Sequence, residues 1–90
     1  MEPPDSYLLK VTDNGMMGDG ICEGDIVRVV EIEPKENDIA ALLTQSGFLF
    51  RRIQRHAGRY LLIPSDRLIP IQEHEHINIV GVVVEAHICF

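Results

Sequence analysis

Four groups of residues in this 90-residue chain have types and spacings that could do chemistry. The first is Glu73-His74-Glu75-His76. Residues i and i+2 on a strand share a face, so His74 and His76 could ligate one metal with a third partner such as His87. Zinc sites ordinarily need three or four placed ligands, and the sequence supplies two, so a solvated, charged edge is the preferred expectation. The second is the pair Cys22 and Cys89, which lie too far apart for a metal-ligand motif. No His neighbours Cys22 in sequence to make a thiolate, and a buried Cys acting as a small hydrophobe is expected. The third is the basic run Arg51, Arg52, Arg55 and Arg59, which could grip phosphates but reads first as a solvated hairpin face. The fourth is Asp13-Asn14-Gly15-Met16-Met17-Gly18-Asp19-Gly20, a turn or short broken helix in which the two methionines are expected to pack.

Composition narrows these choices. One small domain is expected at this length, and an apolar fraction of 46% with no Trp makes Ile, Val and Leu the core. A net charge of -6 argues against direct nucleic-acid binding by this domain. The cysteines fit a reduced, cytoplasmic setting, and no apolar run approaches the length of a membrane span.

The elements that must position these residues are short strands. Residues 1–6 read as a flexible N-terminal arm and 7–90 as the domain. Strands are expected at Tyr7–Thr12, Asp25–Ile32, Ile39–Thr44, Phe48–Arg55 and Tyr60–Ile63, with a short one from Ile71 and a long apolar one over Ile77–His87 broken by Gly81. Gln45-Ser46-Gly47 and His56-Ala57-Gly58-Arg59 supply turns. No helix of any length is required, and no internal repeat, metal or cofactor is expected. The fold class is mainly β, compact and barrel-like.

The order of these motifs resembles the C-terminal domain of the LexA-type self-cleaving repressors and SOS mutagenesis proteins. The residues that carry the resemblance are Lys10 to Met16, Gly20, Gly24-Asp25-Ile26-Val27, Asn37-Asp38-Ile39-Ala40, the hairpin through Arg51-Arg52, Leu62-Ile63-Pro64-Ser65 and Val80-Gly81-Val82-Val83. It covers about Tyr7 to Ala86. It implies coiled β-sheets with a small barrel, dimerisation as a homodimer or with a related protein, and a cleft for an extended peptide at Asn14, Gly15, Met16 and Arg51. The helix-turn-helix that usually precedes such a domain is not in this sequence.

The resemblance also implies a Ser-Lys dyad, and this chain departs from it twice. Gly15 stands where the serine is expected and has no side chain to attack with. Arg51 stands where the lysine base is expected. A guanidinium stays protonated near neutral pH and cannot take the serine's proton. Asn37 is a third departure, standing for a glycine, and Cys22 falls where an aliphatic residue is usual. The remaining lysines, Lys10 on a strand and Lys35 in a polar loop, are poorly placed to substitute. No small-residue–Gly bond lies in the arm, and Ala57-Gly58 reads as a turn. The expectation is a catalytically inactive peptidase-fold domain. The alternatives are an active peptidase using other residues such as Cys22, and a small β-barrel binding nucleic acid.

Overall fold

The computed structural model describes residues 5–88. Seven strands form one antiparallel ladder: β1 (Ser6–Lys10), β2 (Ile26–Val30), β3 (Ile39–Thr44), β4 (Gly47–His56), β5 (Arg59–Ile63), β6 (Gln72–His74) and β7 (Ile79–Glu85). Their order across the sheet is β1-β2-β7-β3-β4-β5-β6. The mainly β expectation holds, and the only helical element among the described residues is a 3₁₀ turn at Met17–Asp19. Cys89, one of the two cysteines, lies outside the described residues.

Both faces of the central strands are covered, which is why three successive residues of β3 (Ala40, Ala41 and Leu42) are buried. Successive side chains point to opposite faces. Ala41 joins a core of Val11, Met16, Ile21, Val27, Val29 and Phe50. Ala40 and Leu42 join a second core with Ile53 and Leu62. Removing each fully buried aliphatic or aromatic side chain from water contributes roughly 1.5–3 kcal/mol, so the two cores supply the main stabilising term.

β7 begins two residues later than expected and is not broken at Gly81. The glycine is buried within the strand, and a Cβ there would lie 2.4 Å from the Val30 carbonyl oxygen. Gly81 therefore permits close approach of β2 to β7. Two bulges accompany this packing, at Arg28/Val29 against β7 and at Ala41/Leu42. Such irregularities bend a sheet and increase its local twist.

Two short turns set the register of the arm that carries Arg51. Thr44 and Gly47 face one another at the end of the β3–β4 ladder. The Thr44 hydroxyl donates to the Gly47 carbonyl at 2.7 Å and accepts from the Ser46 N–H at 3.1 Å. At the β4–β5 turn both Ala57 (φ 52°) and Gly58 (φ 77°) are left-handed, the pattern of a type I′ hairpin. Gly adopts this backbone without strain, Ala adopts it at a cost, and Asn visits it readily. Ala57→Asn is expected to stabilise the protein by about 0.5–1 kcal/mol. An urea melt with an unchanged or lower midpoint would contradict that.

Candidate functional site

β1 continues as an extended segment into Val11, whose N–H donates to the Asp25 carbonyl while its own carbonyl accepts from Gly24 N–H, each at 2.9 Å. The chain then turns. Gly15 N–H donates to Asp13 Oδ1 at 3.2 Å, and Met17 N–H donates to the Asn14 carbonyl at 3.1 Å. The Asn14 side-chain oxygen accepts from Glu23 N–H at 2.8 Å, tying the turn to the segment that enters β2. Met16 anchors the turn in the first core at 1% exposure, while Met17 is half exposed. The expectation that both methionines pack is corrected for Met17, because it opens the 3₁₀ turn, all of whose residues face solvent.

Ser65 closes the turn from the other side. Its N–H donates to the Gly15 carbonyl at 2.8 Å, and its hydroxyl accepts from Gly18 N–H at 2.8 Å. The hydroxyl also lies 3.3 Å from the Gly15 carbonyl oxygen, to which it donates. With both of its roles filled by backbone groups, this hydroxyl acts as a clamp.

Arg51 reaches the same turn from the middle of β4, where it stands opposite Ala40. It is the one buried charged residue among the described residues. Its guanidinium donates to Asp13 as a fork, Nη2 to Oδ2 at 2.9 Å and Nη1 to Oδ1 at 3.4 Å. Nη1 also donates to its neighbour's carbonyl, that of Phe50, at 2.7 Å. A Cβ built on Gly15 would lie 2.3 Å from Arg51 Nη1 and 2.4 Å from Cζ. Gly15 and Arg51 therefore meet face to face, and the guanidinium occupies the space into which a side chain at position 15 would project. Gly15 is not held there by its backbone angles: its φ lies outside the left-handed region, so close approach alone calls for glycine.

The carboxyl of Asp13 is held below its ordinary value of 3.8, chiefly by the hydrogen bond from Arg51 and also by the Gly15 N–H, against the opposing effect of partial burial. A pair with one buried and one half-exposed partner is worth less than a fully buried one, because water screens Asp13.

The two Asp residues that open β2 and β3 sit in matching turns. Asp25 accepts from Cys22 N–H and Asp38 from Lys35 N–H, both at 2.8 Å. Their own N–H groups donate back to the Cys22 and Lys35 carbonyls, both at 3.0 Å. The residue before each Asp is left-handed, Gly24 at φ 94° and Asn37 at φ 70°. Asn37 is thus a substitution its backbone permits. This turn is used twice, in Glu23-Gly24-Asp25-Ile26 and Glu36-Asn37-Asp38-Ile39, a local repetition the sequence pattern did not bring out.

The other candidates scatter. Cys22 is a half-buried free cysteine and not the core residue expected. Lys10 and Lys35 are both exposed, the first at the end of β1 and the second between β2 and β3. The arginines share no basic face. Arg51 pairs with Asp13 and Arg52 with Asp19, while Arg59 lies within ion-pair distance of Glu73 and Glu75. The Arg59–Glu73 contact is an ion pair by distance alone, since Arg59 Nε makes no hydrogen bond in its angle. Arg55 stacks on Tyr60, its Cζ 5.1 Å from the ring centre. His74 contacts Gln72 at 3.0 Å, and His87, beyond the end of β7, contacts Asp25 at 3.4 Å. Among the described residues no group of three His, Cys, Asp or Glu side chains comes together to hold a metal ion. Ser65 and Asp13 are the site residues that sequence reasoning passed over as functional. Only the Pro64-Ser65 pair and the acid two residues before Gly15 hinted at them.

Two outcomes follow from this geometry. Gly15→Ala is expected to destabilise by about 1–3 kcal/mol through overpacking, and to cost far less in an Arg51→Ala background. A denaturant double-mutant cycle with no coupling would show that the two positions are not in contact. For the pH dependence, Asp13 has a depressed folded value. Its stabilising contribution is complete above 3.8 and fades as pH falls through the lower folded value. The stability gap between the wild type and Asp13→Asn should therefore be constant near neutral pH and close only below that point. A gap that narrows above pH 5 would contradict this assignment.

Comparison with known proteins places the chain. The family model Peptidase S24-like matches residues 1–84. LexA repressor 2 of Pseudomonas putida is 32% identical over 80 residues, covering 84% of this chain and 40% of that protein. LexA repressor 1 of Xanthomonas axonopodis pv. citri is 34% identical over 62 residues, covering 68% of this chain and 31% of that protein. The chain thus spans less than half the length of these relatives. On the family match and the 32% identity, it belongs to the Peptidase S24-like family.

Proposed function

We propose that this chain is a catalytically inactive S24-like domain, kept as a dimerisation and peptide-binding module of a cytoplasmic transcriptional regulator or SOS-response protein. The observation that carries the proposal is the contact between Gly15 and Arg51. Acyl transfer by a Ser-Lys pair requires a hydroxyl at one position and an amine that becomes neutral at the other. At the first position there is no side chain. At the second a guanidinium, protonated and already donating to Asp13 and Phe50, has no lone pair to offer. It also fills the volume that a nucleophile would need.

The binding role draws its support from the architecture. A sheet with its chemistry silent still offers extended backbone for strand pairing and side-chain pockets for specificity. The similarity to two LexA repressors supports a place in transcriptional regulation. The overall acidity and the pairing of three arginines with carboxylates support a domain that does not itself hold nucleic acid. Dimerisation of two such domains, or of one with a related protein, would then give the module its partner.

On this proposal, incubation at alkaline pH leaves the chain at its full mass. A discrete fragment appearing with time in an intact-mass spectrum would end it. Loss of that fragment on thiol alkylation would point instead to Cys22 as the nucleophile.

A further inference from the structure

A cavity of about 410 Å³ lies between the β3–β4 turn and the segment that joins β6 to β7. Its floor is Leu42, Leu49, Leu62 and Ile77, the open end of the second core. Leu49 faces it from β4. Phe48 and Phe50, on either side of Leu49 in that strand, point the other way and pack on the first core. None of Asp13, Gly15, Arg51 and Ser65 lines the cavity. The Leu43 N–H donates to the Asn78 carbonyl at 2.9 Å, which ties one wall to the other and keeps the space formed.

The wall carries no permanent charge. Asp, Glu, Lys and Arg make up 24% of the chain, yet none of them reaches this cavity. Four other surface cavities of the described residues each hold at least one such residue. The rim is polar but neutral. Gln45 and Ser46 stand on the β3–β4 turn, Gln72 and His74 on β6, and His76 and Asn78 beyond it. His74 Nε2 and Gln72 Oε1 lie 3.0 Å apart and occupy one another. The side chains of Gln45, Ser46, His76 and Asn78 have no partner among the described residues. An apolar floor is thus ringed by uncommitted, uncharged donors and acceptors.

We propose that this cavity binds a small uncharged amphiphile, an apolar body ending in a hydrogen-bonding head such as an amide. Small-molecule sites ordinarily enclose about 300–1,000 Å³ and combine an apolar lining with a few orienting polar groups, and the cavity meets both conditions. The apolar body displaces loosely held water from Leu42, Leu49, Leu62 and Ile77. The head bonds to the carboxamides and hydroxyl of the rim. A carboxylate ligand finds no cation in this wall and an ammonium finds no carboxylate, so either charge is desolvated without a partner. The net charge of -6 adds a further penalty for an anion. The site does not depend on whether the chain cleaves peptides.

The probes are octanamide, octanoate and octylammonium, one chain length with three head charges. Each is titrated into the 90-residue chain and read by amide and methyl NMR shifts at about pH 8, where histidine is ordinarily neutral. Octanamide is expected to give saturable shifts centred on Leu42, Leu49, Leu62 and Ile77. The two charged probes are expected to bind at least about tenfold more weakly, because their charge goes unpaired. Gln72→Glu places a carboxylate in the rim with little change of shape and should reverse the order, octylammonium binding ahead of octanamide. Lys10→Gln makes the same change in net charge from an exposed position outside the cavity and should leave the order as it was. Melting curves confirm that both variants fold. Four results would overturn the proposal. One is no saturable shift at the floor residues up to the solubility limit of octanamide. Another is octanoate or octylammonium binding the wild type as tightly as octanamide. The third is the same reversal from Lys10→Gln as from Gln72→Glu. The fourth is movement of the floor signals with protein concentration alone, which would give the cavity to a second copy of the chain. None of these bears on the alkaline-incubation result, so the two proposals fail separately.

Discussion

The structure around the turn depends on a guanidinium that has to be buried and satisfied. An unpaired charge inside a protein is expensive, and removing one partner of a buried pair is typically far more damaging than never having the pair. Arg51 meets this requirement with a half-exposed carboxylate on one side and a backbone carbonyl on the other. Each of its contacts fixes something else. The fork to Asp13 sets where the turn begins, and Asp13 in turn holds the Gly15 N–H. The plane of the guanidinium lies where a Cβ at position 15 would be, so any side chain there requires the guanidinium to move. Ser65 then fastens the backbone of that glycine from behind. One cation thus sets the residue type at 15, the residue at 13 and the path of the turn.

The sheet makes this arrangement possible by burying both its faces near β3. Two adjacent alanines do what larger residues could not. Ala41 leaves room for Phe50 and Met16 on one face, and Ala40 stands opposite Arg51 on the other. Gly81 plays the equivalent part between β2 and β7, where any Cβ would strike the Val30 carbonyl. The core is therefore built around close approach of strands at a few small residues, with Ile, Val and Leu filling the rest.

Much of the fold was legible in the sequence because alternation and turn residues carry it. Each expected strand is present, and the Ala57-Gly58 and Gln45-Ser46 turns lie where their residues placed them. The facing of Gly15 and Arg51 was legible too, though through the family resemblance and not through periodicity. What escaped was set by three-dimensional neighbours. Gly81 looks like a break in a strand until the Val30 carbonyl is beside it. Met16 and Met17 are the same residue type, and only the 3₁₀ turn separates a core anchor from an exposed side chain. Ser65 is 50 residues from Gly15 in the chain, and a single hydroxyl in a loop gives no sign of what it will touch. Cys22 was expected in the core on residue type alone, yet its place in the tight turn before Asp25 leaves it only partly buried.

The contact between positions 15 and 51 also constrains how such a site can vary. A side chain at 15 with arginine at 51 forces heavy atoms to about half an ångström short of the closest approach real Cβ atoms show, or closer, so one of the two must move. Moving the guanidinium breaks the fork to Asp13 and strips the Phe50 carbonyl of its donor. A lysine at 51 with glycine at 15 would leave the opposite fault. An ammonium can hold Asp13 as a point charge but does not match its two oxygens with a planar fork, and the space beside Gly15 would be left unfilled. Each half of the pair is thus tolerable mainly in the company of the other. The two positions are therefore coupled: a side chain added at 15 overlaps the guanidinium, and shortening the residue at 51 alone leaves a void.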